Sequence, residues 1–351
     1  MTARRFRGLL AVWVLLIGYA SLYPFGPLRL PPAELVAAAL ARPRYVIPFD
    51  VVLNVLAYFP LGVLATLAVA APGRRARAMA AAVAFGAALS TAMEACQLLI
   101  PGRVASIYDV FANAAGTATG ALAFADPFYS VVTLPLGRWR ERALVPGAWG
   151  DAGLMLLALW LIAQLNPALP FFGAGNIGAP GDEAPVGGIV EWGAVAFGIC
   201  GFGLFVSVLL AGEQGSLRVT LVLLSVALWL KFVGATLFLQ PYVSGEWVTM
   251  QRLLGIAAGL AALAPLRRLP RAGRAYVAIL AILAGALLSK IFGAYTPLEE
   301  LLRIFRWPYG QLANLATLTR FLHELWPFAA LAFLIALFLR DRRAARAIIA
   351  Q

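Results

Sequence analysis

Histidine and cysteine are almost missing from this chain of 351 residues: there is one histidine, His323, and there are two cysteines, Cys96 and Cys200. A single imidazole cannot build a multi-histidine metal site. The two cysteines are far apart and each lies inside an apolar run, which excludes a disulfide framework and a CxxC redox or metal motif. Charge is scarce as well, at 13% of residues. What fills the chain instead is apolar surface: 62% of residues are hydrophobic, in long runs that recur every few dozen positions. That pattern is all-α, a polytopic transmembrane helix bundle.

A span needs about 20 mostly apolar residues. Ten are predicted, at 7–23, 50–71, 78–100, 107–125, 150–166, 188–211, 218–240, 248–266, 274–292 and 323–340. The N-terminus "MTARRFRGLLAVWVLLIGYAS" has the basic head and apolar body of a signal peptide. Its apolar run continues to Tyr23 and later segments resemble it, so it is read as an uncleaved first span.

The net charge of +12 could suggest a polyanionic partner. The arginines, however, sit in short clusters between apolar runs, with no basic groove and no aromatic platform, so no nucleic acid is expected. They are a topology record. "RRFR", "PGRRARA", "LGRWRER", "SLR", "LRRLPRAGR" and "RDRRAAR" put 18 arginines on the side of the N-terminus, and eight fall on the other. Eleven of the 16 acidic residues fall on that other side. Both termini are therefore expected in the cytoplasm, with the chain in a bacterial inner membrane.

Four spans return a chain to its starting side, so a four-helix unit can repeat in parallel. "WVLLIGYASLYPFGPL" is echoed by "LWLIAQLNPALPFF", Asp50 and Gly62 by Glu191 and Gly203, and Gly116 and Gly120 by Gly255 and Gly259. The expected organisation is a first unit over 1–135, a degenerate second unit over 149–267, and two further spans over 274–351 with an interfacial segment between them.

Charged side chains inside lipid cost about 2.5–3.5 kcal/mol at a helix centre, so they normally face protein or water. The first unit concentrates them: Asp50 and Asn54; Ser90, Glu94 and Gln97; Arg103 in a turn; Asp109 and Asn113. Asp50 and Asn54 are four apart, Glu94 and Gln97 three apart, and Asp109 and Asn113 four apart, so each pair shares a helix face. All three pairs fall within about two turns of the outer ends of their spans at 1.5 Å per residue. Gly116 and Gly120 extend the Asn113 face as a GxxxG, which permits close helix approach. The pairs are expected to meet in one layer opening toward the outer leaflet.

Three uses of that layer are open. The polar groups can satisfy one another as interhelical glue. Arg103, backed by the carboxylates, can present its planar fork to the anionic headgroup of an envelope lipid or amphiphile. Glu94 and Asp109 are the candidate catalytic acid and base if burial raises a carboxyl pKa. Asp50, Glu94 and Asp109 offer oxygen ligands, but no DxDxD or HxxxH run supports a metal, and no cofactor is expected. The partners expected are membrane lipids.

Beyond the first unit the polar residues thin out. Lys231 lies nine residues short of the end of its span, and is read as snorkelling or as bridged to Glu191 or Glu246. His323 with Glu324 is read as an ordinary helix-end pair. "PLEELLRIFRWPYGQLANLATLTRFLHEL" is too charged to span and is expected in the outer interface as a short amphipathic helix.

Asp50, Asn54, "FPLG" at 59–62, Ser90, Glu94, Gln97, Arg103, Asp109, Asn113, Gly116 and Gly120 follow in order the motif of the VanZ-like membrane proteins. The resemblance covers residues 8–125. Val195 and Arg252 stand where Asn54 and Asn113 would project in a second unit. That family takes its name from a protein linked to resistance against the glycopeptide teicoplanin. The resemblance thus implies a cell-envelope role, and it carries no agreed catalytic residue.

Overall fold

The computed structural model describes residues 3–41, 47–71, 73–125, 128–169, 171–172, 185–212, 215–241, 248–292, 302–306 and 310–349. Among them are twelve α-helices and no strand beyond isolated bridges. In chain order they are α1 (Ala3–Leu22), α2 (Ala33–Leu40), α3 (Pro48–Val69), α4 (Arg75–Leu98), α5 (Ile107–Leu122), α6 (Leu134–Ala143) and α7 (Ala148–Ala163). There follow α8 (Pro185–Leu209), α9 (Ser216–Phe238), α10 (Met250–Leu266), α11 (Arg271–Phe292) and α12 (Gly310–Ile349).

Each of the ten predicted spans corresponds to one of these helices. Six of them, α3, α4, α8, α9, α11 and α12, are long and apolar enough to cross a membrane, and α1, α7 and α10 carry shorter apolar stretches. The chain is a multi-pass all-α bundle. Local chemistry sets several helix starts: Pro48 occupies the first turn of α3, where its missing N–H costs nothing. The Ser106 hydroxyl accepts from the Tyr108 N–H at the head of α5, and Thr249 accepts from the Arg252 N–H at the head of α10.

Three elements depart from the sequence expectation. Helix α2, AELVAAAL, is too short for a hydropathy window to register as a span, and α6 carries three arginines. The tenth span starts at Gly310 and not at 323, because Gln311, Asn314 and Arg320 are met by protein partners inside a continuous helix. Residues 297–301 and 307–309 of the expected interfacial segment lie outside the described residues.

The chain divides into two compact units. The first comprises residues up to Arg140 with the opening turns of α12, through Leu318. Its centre is the contact of α3 with α5, flanked by α4 and α1. This contact is backbone to backbone. A methyl group on Gly62 would fall on the Thr117 carbonyl oxygen, one on Gly116 on that of Val55, and one on Gly120 on that of Phe59. Small residues at these positions let the helices close to dispersion contact, the main attraction available between helices in lipid.

The second unit runs from Glu141 to Pro308 and from Thr319 onward. Helix α8 is its axis: Val195, Ile199, Phe202, Phe205 and Leu209 are all buried, as expected of a helix apolar on every side. Trp160 stacks on Phe202 with ring centroids 4.0 Å apart. Gly255 and Gly259 on α10 face Val195, Ala196 and Ile199 on α8, while Gly203 on α8 faces Leu263 on α10. The units differ in what else packs on the central pair, α4 and α1 in the first and α11 against α8 in the second.

Lys231 corrects the sequence expectation. It neither snorkels nor pairs with Glu191; Glu246 lies outside the described residues. Its side chain is buried, 1% exposed, and Nζ donates to the carbonyl oxygens of Asn166 at 3.0 Å and Leu169 at 2.7 Å. These carbonyls lie in the non-helical segment that follows α7, so the ammonium meets two main-chain oxygens outside any helix ladder. Glu191 instead binds Arg252 at 2.6 Å. Glu324 is not part of a helix-end pair with His323 either: it sits within α12 and meets Lys290 at 3.3 Å and Arg320 at 3.4 Å.

Candidate functional site

The candidate site lies in the first unit, where α3, α4 and α5 meet the start of α12. Because Gly116 and Gly120 seat α5 on α3, the heads of those two helices come together, each carrying a carboxylate in its first turn, Asp50 and Asp109. Asp109 is within electrostatic reach of Asp50, and the amide side chains of Asn54 and Gln311 face it. The Gln311 N–H donates to Asp50 Oδ1 at 3.3 Å.

Helix α4 delivers the third carboxylate from the opposite direction. Glu94 Oε2 accepts the Ser106 N–H at 2.8 Å, so the residue that caps α5 is itself tied to α4. Asp109 and Arg103 are the charged neighbours of Glu94. One turn deeper, Asn113 Nδ2 donates to Ser90 Oγ at 2.8 Å with both groups buried. The Tyr58 ring, one turn along α3 from Asn54, reaches the same depth and faces Ser90, Glu94 and Asp109.

Arg103 stands in the turn between α4 and α5. Its Nη1 donates to Asn314 Oδ1 and its Nη2 to the Ala20 carbonyl at 2.9 Å, while its Nε is buried without an acceptor among the described residues. Burial pushes the guanidinium pKa down from its ordinary value and the Glu94 carboxylate pushes it back up. Asn314 Nδ2 donates in turn to Gln311 Oε1 at 3.0 Å. A hydrogen-bonded line therefore runs from Arg103 through Asn314 and Gln311 to Asp50.

Beside Arg103 opens a cavity of about 280 Å³, walled by α2 and its lead-in (Arg29, Pro32, Leu35, Ala39) and by the turn after α4 (Ile100, Arg103). Arg29 and Arg103 are its charged residues. The lead-in is held in place by the Arg29 N–H, which donates to the Leu99 carbonyl at 2.8 Å. Leu30, Leu35, Leu40 and Val104 expose large apolar side chains around this region.

Of the eight residues singled out by sequence, Asp50, Asn54, Ser90, Glu94, Arg103, Asp109 and Asn113 join one network of contacts. Gln97 does not face the carboxylates; it donates to the Ser21 carbonyl at 3.0 Å and ties α4 to the end of α1. Among the described residues no three of His, Cys, Asp and Glu are close enough to hold a metal ion. Sequence reasoning missed Tyr58, Gln311 and Asn314. Tyr58 follows Asn54 by four, and Gln311 and Asn314 are three apart, spacings of the kind that flagged the other pairs.

Comparison with curated proteins finds no match, and neither does comparison with solved structures. The family model VanZ/LLP1 matches residues 6–129, the segment that supplies α1 to α5 and all three carboxylates, so the first third of the chain is similar to the VanZ-like family.

Proposed function

We propose that this VanZ-like unit binds an anionic amphiphile of the bacterial cell envelope at the outer leaflet of the inner membrane. The observation that carries the reading is the cavity of about 280 Å³ in which Arg29 and Arg103 are the charged lining residues. A guanidinium fork matches phosphate or carboxylate, and Arg103 has a buried Nε that no described residue meets. The apolar side chains of Leu30, Leu35 and Leu40 supply the surface on which acyl chains would lie. Teicoplanin susceptibility belongs among the phenotypes to score, on the strength of the family resemblance.

The test compares protein level with lipid content for Arg103→Lys, Glu94→Gln and Asp109→Asn, purified in detergent and analysed by mass spectrometry. Normal level with loss of a co-purifying anionic lipid in Arg103→Lys supports binding. Loss of protein level in all three returns the cluster to interhelical glue. A lipid that accumulates in Glu94→Gln cells and not in wild type would instead assign acid–base chemistry on a lipid-linked sugar or peptide.

A further inference from the structure

Resting on the amphiphile reading, we propose that the bound headgroup carries a primary ammonium beside its anionic group, the chemistry of an aminophospholipid. The charge balance of the site motivates this. Asp109 lies within reach of both Asp50 and Glu94, while Arg103 is the cation in reach of Glu94. None of the three carboxylates forms an ion pair among the described residues. A purely anionic headgroup would meet two guanidiniums at one end and carboxylates at the other, and like charges at close range oppose binding.

The geometry resolves the conflict. The anionic group takes the Arg29 and Arg103 end, where the cavity lies. The ammonium takes the carboxylate end. The two ends meet at Arg103, which lines the cavity and is at the same time a charged neighbour of Glu94, whose other charged neighbour is Asp109. A short linker between phosphate and amine is therefore what the site calls for.

A second observation points the same way. Asn113 is 5% exposed, and its Oδ1 has no donor among the described residues. It adds a neutral acceptor one turn below Asp109. A primary ammonium has three N–H donors in diverging directions, which suits acceptors that are spread out and do not converge closely enough for a metal. A quaternary ammonium has none to offer.

The experiment uses the full chain, delipidated in detergent, with phosphatidylethanolamine, phosphatidylglycerol and phosphatidylcholine of identical acyl chains, read by native mass spectrometry. Phosphatidylethanolamine is expected to be retained about tenfold better than either of the others, the worth of one charge-assisted hydrogen bond. Asp109→Asn should shrink that preference while leaving phosphatidylglycerol retention unchanged or higher; Arg77→Gln, an exposed residue on α4 away from the site, should leave it intact. A series of N-methylated phosphatidylethanolamines tests the same point on wild-type protein without any variant, and retention should fall as N–H groups are lost. Equal retention of the three lipids, or flat retention across the methylation series, overturns the ammonium. If none of the lipids binds, the amphiphile reading itself fails. Glycerophosphoethanolamine, which lacks acyl chains, should compete more than tenfold less well; equal competition overturns the lipid as the source.

Discussion

Asn113 on α5 donates through Nδ2 to the hydroxyl oxygen of Ser90 on α4 at 2.8 Å, in the buried floor beneath the Asp109 carboxylate. The pair links two helices in a setting where neither group can turn to water. Its energy is nonetheless modest in membrane proteins, because the separated helices find other partners.

A double-mutant cycle measures that link. Ser90→Ala and Asn113→Leu should each lower stability, and the double variant should lose less than the sum. The expected coupling is about 0.6 kcal/mol, with an upper bound of about 1.7 kcal/mol. Unfolding midpoints in a denaturing detergent titration check it. Strict additivity would show that the 2.8 Å contact contributes nothing.

Gly120 makes a sharper prediction, because its missing side chain is what lets α5 lie on α3. Gly120→Ala drives a methyl into the Phe59 carbonyl oxygen, and overpacking of this kind costs about 1–3 kcal/mol. Gly137→Ala is the control, since nothing lies within 4 Å of the position where its methyl would go. Thermal unfolding should drop for the first and hold or rise slightly for the second. Lipid retention should fall with Gly120→Ala as well, because the seat of α5 sets the distance between Asp50 and Asp109.

The helices were legible from hydropathy, and most of the site from spacing, for one physical reason. Polar residues are so costly in lipid that those at i and i+4 on an apolar helix stand out, as Asp109 and Asn113 do. Gln311 and Asn314 were missed because the same hydropathy logic rejected a stretch carrying Arg303, Arg306 and Arg320 as a span, although its residues from Gly310 onward are the head of α12. Lys231 was misread for a related reason. An ammonium in a span invites the search for a carboxylate, whereas its partners are the Asn166 and Leu169 carbonyls, which every residue type has and no sequence displays.

Lys231 should therefore be structural. Lys231→Met keeps the length and apolar stem of the side chain and removes the donor that the Asn166 and Leu169 carbonyls share. The expected loss is about 1.5–3 kcal/mol, the range for a hydrogen bond to a charged group. Glu191→Gln should leave the Lys231 contacts in place, since Glu191 serves Arg252. Equal destabilisation by Lys231→Met and a conservative change at a lipid-facing position such as Leu221→Val would contradict this account; Leu221 is 42% exposed.

Arg103 separates the two roles of the first unit, holding helices together and holding a ligand. Its guanidinium reaches Asn314 on α12 and the Ala20 carbonyl at the end of α1 with two different nitrogens. Arg103→Lys keeps the charge but gathers its donors on one nitrogen, so it does not reproduce the two separate nitrogens with which the guanidinium spans acceptors on α12 and α1. Stability should fall by about 1 kcal/mol, one neutral hydrogen bond, with protein level near that of wild type. Asn314→Leu removes one of those acceptors and leaves the guanidinium free to turn toward the cavity, so it should cost similar stability. The variants then diverge: phospholipid retention drops in Arg103→Lys and persists in Asn314→Leu. Parallel loss in both would mean that the hydrogen-bonded line from Arg103 to Gln311, and not the guanidinium alone, is what the ligand requires.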